Sequence, residues 1–118
     1  MKNELIYCIQ AGDVEGIKEM VANGFDIKPD LQGALVYSAN QSKINIVKYL
    51  VEIGADVAYD NNRALKNAAL IKSPYYGNLE VIEYLVYNGA DVNAIKDTLH
   101  PIVQEWVKNY LALSAVQK

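Results

Sequence analysis

Ile44-Asn45-Ile46-Val47-Lys48-Tyr49-Leu50-Val51 and, thirty-five residues later, Leu79-Glu80-Val81-Ile82-Glu83-Tyr84-Leu85-Val86 are two copies of one pattern. Each runs on into the same words, Gly54-Ala55-Asp56-Val57 and Gly89-Ala90-Asp91-Val92. Ahead of them, Asp30-Leu31-Gln32-Gly33-Ala34-Leu35 aligns with Asp60-Asn61-Asn62-Arg63-Ala64-Leu65 at an offset of thirty. A fainter copy lies upstream, where Leu5, Ile9, Val14, Ile17, Met20 and Gly24 align with Leu35, Ala39, Ile44, Val47, Leu50 and Gly54. A period in this range belongs to solenoids, whose units bury their apolar faces only by stacking on neighbours. Solenoids bind far more often than they catalyse.

Each unit reads as two short helices and a turn. The second helix carries apolar residues at 44, 47, 50 and 51, and again at 79, 82, 85 and 86, the one-sided stripe of a 3.6-residue period. The first holds small residues, Ser38-Ala39 and Ala68-Ala69, which let a neighbouring helix approach closely. Gly24, Gly54 and Gly89 follow the stripes, where a residue in the left-handed conformation ends a helix. The two offsets differ by five, which places an insertion at Lys72-Ser73-Pro74-Tyr75-Tyr76. The spacing predicts an exposed loop there, joining the two helices of its unit.

The run Asn78-Leu79-Glu80-Val81-Ile82-Glu83-Tyr84-Leu85-Val86-Tyr87-Asn88-Gly89-Ala90-Asp91-Val92-Asn93-Ala94 resembles the second helix and following loop of an ankyrin repeat, and the echo covers residues 1 to about 99. The resemblance implies an all-α fold, an ankyrin-like solenoid of stacked helix-turn-helix repeats. Its units would span about 1–29, 30–59 and 60–94, with a C-terminal cap over 95–118. It also implies a non-catalytic protein–protein interaction module, with the partner on the turns and the first-helix face. Carried onto this chain, that surface is Leu31, Gln32, Asn40 and Gln41, then Asn61, Asn62, Arg63, Leu70 and Ile71. Leu85 and Asp91-Val92-Asn93 match the context in which ankyrin asparagines are hydroxylated in animal cells, which makes Asn93 a candidate modification site. The chain departs from the family pattern in three places. The stretch from Asp30 to Leu35 is short and lacks Thr-Pro-Leu-His, and Asp60 to Leu65 is similar to the shortened repeats of ankyrin proteins from amoeba-infecting giant viruses. The insertion is the second departure. The third is the C-terminal unit, where only Thr98-Leu99-His100-Pro101 resembles a helix start.

Composition narrows the function classes. A chain of 118 residues, 52% apolar, fits one domain. A net charge of −3 with interspersed lysines and acids presents no basic face for nucleic acid. The sequence has no eighteen-residue apolar run that would span a membrane. Met1-Lys2-Asn3-Glu4 does not resemble a signal peptide, which points to a cytoplasmic or otherwise intracellular protein. One histidine, His100, and one cysteine, Cys8, are too few for a zinc site, and no glycine-rich phosphate loop exists. No cofactor is expected, and no catalysis: Cys8 and His100 fall at opposite ends of the stack. Cys8 takes the small-residue position of Ser38 and Ala68, which suggests a core role. Asp56 and Asp91 recur at one phase, where aspartate side chains bond turn N–H groups.

Nine tyrosines stand against one phenylalanine. Tyrosine offers much contact area at low entropic cost and is enriched in interfaces. Tyr49 and Tyr84, like Tyr7 and Tyr37, share repeat positions and are expected half-buried between units. Tyr59, Tyr75 and Tyr76 lie in a turn or in the insertion, and the last two join the candidate binding residues. At the C-terminus, Ile102, Val103, Trp106, Val107, Tyr110 and Leu111 line one side of a long helix opposite Gln104, Glu105, Lys108 and Asn109. That helix is expected to close the open end of the stack. Leftover apolar area on it offers the alternative function, a structural homo-oligomer assembled through this helix or an uncovered stack end.

Overall fold

The computed structural model describes residues 1–70, 76–98 and 100–116. Among them the chain forms seven α-helices, two short 3-10 turns and no strand. These are α1 (Asn3–Ala11), α2 (Val14–Ala22), α3 (Leu31–Asn40), α4 (Ile44–Glu52), α5 (Tyr59–Ala69), α6 (Tyr76–Tyr87) and α7 (Pro101–Val116). Consecutive helices pair within a unit; α1, α3 and α5 stack as one layer and α2, α4 and α6 as another. The result is 47 × 30 × 21 Å, longest because units add in one direction.

The core lies between the layers and repeats with the sequence. Leu5, Leu35 and Leu65 are fully buried at one first-helix position, and Ile17, Val47 and Ile82 at one second-helix position. Leu50 and Leu85 are fully buried too, whereas Met20, the first of that series, is only partly covered. Ala34, Ala39, Ala64 and Ala68 are buried where the first helices meet, so close approach is what their small size provides. Ser38 shares that seam because its hydroxyl donates to the Leu35 carbonyl at 3.0 Å within its own helix.

The second helices all end alike. Gly24, Gly54 and Gly89 have φ of 102°, 113° and 109°. In each case the glycine N–H donates to Val21, Val51 or Val86, and the next N–H reaches back to Met20, Leu50 or Leu85. This pattern of two bonds satisfies carbonyls that a helix end leaves orphaned.

Aspartates then start each turn, as their repeat phase predicts. Asp26, Asp56 and Asp91 accept through Oδ1 from the backbone N–H two residues on, at 3.2, 2.9 and 2.9 Å. The entries to the first helices differ. Before α3, Lys28-Pro29-Asp30 forms a right-handed 3-10 turn. At the start of α5, Asp60, Asn61 and Asn62 have φ of 53°, 55° and 62°, one left-handed turn. Asparagine and aspartate tolerate that conformation better than other side chains, whereas proline fixes φ near −65°.

The insertion divides. Lys72 to Tyr75 lie outside the described residues, but Tyr76 is already the first residue of α6, so the expected loop does not extend to it. α6 has twelve residues against nine in α4, so part of the added length lengthens a helix.

At the C-terminal end Val92–Ile95 forms a 3-10 turn where a longer unit would start a first helix. α7 follows, its first turn capped by His100, whose Nδ1 accepts from the Ile102 N–H at 3.3 Å. Among the described side chains of α7 only Val103 and Val107 are buried, with Trp106 and Tyr110 partly covered; Ile102 and Leu111 of the expected stripe are exposed, as is Leu113. The way α7 docks continues a ladder along the second helices. Lys18 Nζ sits 5.6 Å from the Tyr49 ring centre and Lys48 Nζ 5.8 Å from that of Tyr84. Glu83 holds the next lysine position, and its Oε1 accepts from Trp106 Nε1 at 3.3 Å. Trp106 thus fills the slot that a further repeat would give to tyrosine, with the polarity of the contact reversed.

Candidate partner-binding face

The first helices present their far side to solvent. Tyr7 lies two residues from both Leu5 and Ile9, which puts it on the helix side opposite that buried pair. It is 66% exposed, not half-buried as its repeat phase suggested. Its equivalent Tyr37 is partly covered, and the Tyr37 hydroxyl accepts from Gln10 Nε2 at 2.8 Å, which ties α1 to α3 across this face. On α5 Tyr59 and Arg63 are exposed and Asn67 is half-buried, and exposed Leu70 follows its last residue.

The candidate residues separate into groups. Leu31 and Asn62 are buried. Asn62 Oδ1 accepts from the Asp91 N–H at 2.9 Å, and half-buried Gln32, its repeat equivalent, accepts through Oε1 from the Asp56 N–H at 3.1 Å. Gln32 and Asn62 therefore pin each first helix to the turn that follows its own unit's second helix. Asn40, Gln41, Asn61, Arg63 and Leu70 are exposed. Ile71 and Tyr75, and the side chain of Tyr76, lie outside the described residues. Asn93 is exposed, and its N–H and Nδ2 both donate to Asp91 Oδ1, at 2.9 and 3.1 Å.

Asn40 and Arg63 meet in one groove of about 390 Å³ between α3 and α5, together with Gly33, Val36, Tyr37, Tyr59, Asp60 and Asn67. The last six were not among the sequence candidates. The repeat register held the signal: Gly33 and Arg63 share one position, as do Tyr37 and Asn67. Arg63 pairs with Asp60 at 2.9 Å, one turn away on α5, both half exposed. A larger concavity, about 810 Å³, lies on the flank of α1 and α2 that faces away from α3. Its lining includes Cys8, Gly16 and Met20, whose equivalents Ser38, Ile46 and Leu50 are buried under the preceding unit. It is an uncovered stacking surface rather than a recess shaped for a ligand. Burial, then the carboxylates of Asp13 and Glu4, push the Cys8 thiol up, which keeps it protonated and poorly nucleophilic. Burial, then Glu52, likewise raises the Tyr84 hydroxyl.

The arrangement offers aromatic area, amides and one ion pair on an open face. The family model for ankyrin repeats, in three copies, matches residues 5–96, and the chain belongs to the ankyrin-repeat family. Ankyrin repeats are in general protein–protein interaction modules, and the family is typically non-catalytic. No curated protein and no solved structure gives a significant match to the chain. Among the described residues, no helix is long and apolar enough to cross a membrane.

Proposed function

We propose that this protein binds a partner protein through the solvent side of its first helices, from Tyr7 on α1 to Leu70 at the end of α5, and does no chemistry on it. One observation carries this: Tyr7 on α1, Tyr59 on α5 and Leu70 just past the end of α5 are 66%, 47% and 75% exposed. Large side chains held in water without a packing role mark interaction sites when they gather on one face. Tyrosine and arginine there are the residue types that anchor interfaces. The same reading places the protein inside a cell, where ankyrin modules usually act.

The test is affinity purification from cells that make the protein, followed by mass spectrometry. A partner enriched by the wild type should be lost with Arg63→Glu combined with Leu70→Asp, while the thermal melt stays unchanged. If the partner survives that double change but is lost with Tyr75→Ala and Tyr76→Ala, the insertion is the binding site and the first-helix face is not.

A second reading, self-association through α7, is favoured by exposed Ile102 and Leu113, which lie near Trp106 around that helix. Light scattering on the purified chain separates the two. A dimer that dissociates on Ile102→Asp with Leu113→Asp would establish the structural role.

A further inference from the structure

We propose that the groove between α3 and α5 receives an extended segment of a partner protein bearing an acidic side chain, with Gly33 admitting its main chain and Arg63 taking its carboxylate. The inference rests on the first-helix face proposed above and narrows its partner to one chemistry.

Gly33 supplies the first argument. It lies inside a right-handed helix, where glycine is destabilising relative to alanine. Yet a Cβ built on it would meet nothing within 4 Å, and its φ is not in the left-handed region. The fold therefore gains nothing from the missing side chain, and the next unit places Arg63 at the same position. What the glycine leaves is space on the outside of α3, the kind of space a backbone needs to come close.

The groove's shape and polar groups say what comes close. It is open along one side, so it cannot enclose most of a small molecule's surface as ligand pockets do. A chain lying across it needs no such enclosure. The side-chain amides of Asn40 on α3 and Asn67 on α5 make no hydrogen bond among the described residues. Each offers both a donor and an acceptor, which matches the alternating C=O and N–H of an extended main chain. Tyr37 and Tyr59 give it aromatic surface on either helix.

Arg63 decides the charge. Among the described residues its only ion-pair partner is Asp60, more than half exposed like itself, so the contact is weak and leaves most guanidinium N–H donors free. An incoming carboxylate can add to that guanidinium in the bidentate geometry arginine favours. A basic side chain would instead have to displace Arg63 from Asp60.

The experiment selects a displayed library of random twelve-residue peptides on the purified full chain, then measures synthetic copies of the winners by titration and amide chemical shifts. The expected result is a shared Asp or Glu beside an apolar residue, with shifts at Gly33, Asn40, Arg63 and Asn67. Binding should fall at least tenfold with Gly33→Leu and with Arg63→Gln. Gly33→Ala should melt at or above the wild-type temperature. A basic or charge-free consensus, no selected peptide, or binding indifferent to Gly33→Leu overturns the proposal. So does a lowered melting temperature for Gly33→Ala, because the position would then not be open. Acidic peptides that map around Tyr7 or Leu70 overturn the groove but leave the first-helix face standing; peptides that map to α7 overturn both.

Discussion

The two central units build the same corner with different backbones. In the unit of α3 and α4, Pro29 holds a right-handed 3-10 turn, Leu31 is buried at the helix start, and half-buried Gln32 reaches the Asp56 N–H. At the entry to α5 there is no proline. Asp60, Asn61 and Asn62 turn left-handed instead, and Asn62 is buried as it reaches the Asp91 N–H. The shorter asparagine plays the same role from a buried position, where the longer glutamine is half-buried. What the chain conserves across its repeats is therefore the hydrogen bond to the aspartate turn, and the residues that deliver it vary with the backbone beneath.

The largest effects should be shared by the units, and they would break the comparison if they were not. Leu50→Ala and Leu85→Ala should each cost about 2–5 kcal/mol in denaturant unfolding, since both empty fully buried, repeat-equivalent sites. A variant that melts like the wild type would show that its unit does not pack in this register. The polar pin comes next, and here the units should differ. Asn62→Ala should cost about 1–3 kcal/mol, because it strands a turn N–H beside a buried site, while Gln32→Ala should cost about 0.5–1.5 kcal/mol where water can substitute. Equal costs would mean that the two pins are equally wet. The turns themselves should respond with opposite signs. Pro29→Gly should lower stability by about 0.4–1 kcal/mol through the freer unfolded chain. Asn61→Gly should raise it by up to about 1 kcal/mol, because glycine takes a φ of 55° without the Cβ penalty. A loss at both positions would remove the left-handed turn. An effect of similar size sharpens the second-helix ladder: Lys48→Met should cost about 0.5–1 kcal/mol through the lost cation contact with Tyr84. Glu83→Gln at the equivalent position should cost no more, provided that its amide oxygen still accepts from Trp106.

The buried stripe of the second helices, the three glycine-ended caps and the aspartate turns were legible, since each follows from local chemistry repeated at fixed spacing. The exposure of the proposed face was less legible. Asn40, Gln41, Asn61, Arg63 and Leu70 are exposed, whereas Leu31 and Asn62 are buried and Gln32 and Asn62 bond turn backbone. Turn residues look alike in sequence whether their amides face a partner or a neighbouring backbone. Tyr7 illustrates the opposite error, because its shared phase with Tyr37 said nothing about how far each is covered.

By itself the sequence determined the repeat, its helical period, the ends of its helices and the family to which the chain belongs, because those rest on short-range sterics and periodic burial. Only the tertiary structure decided which amide caps which turn, that Gly33 faces open space beside Arg63, and that Trp106 closes the ladder begun by Tyr49 and Tyr84. Those outcomes depend on contacts between residues some twenty to thirty positions apart, whose geometry is set by how one unit settles on the next rather than by any local preference of the chain.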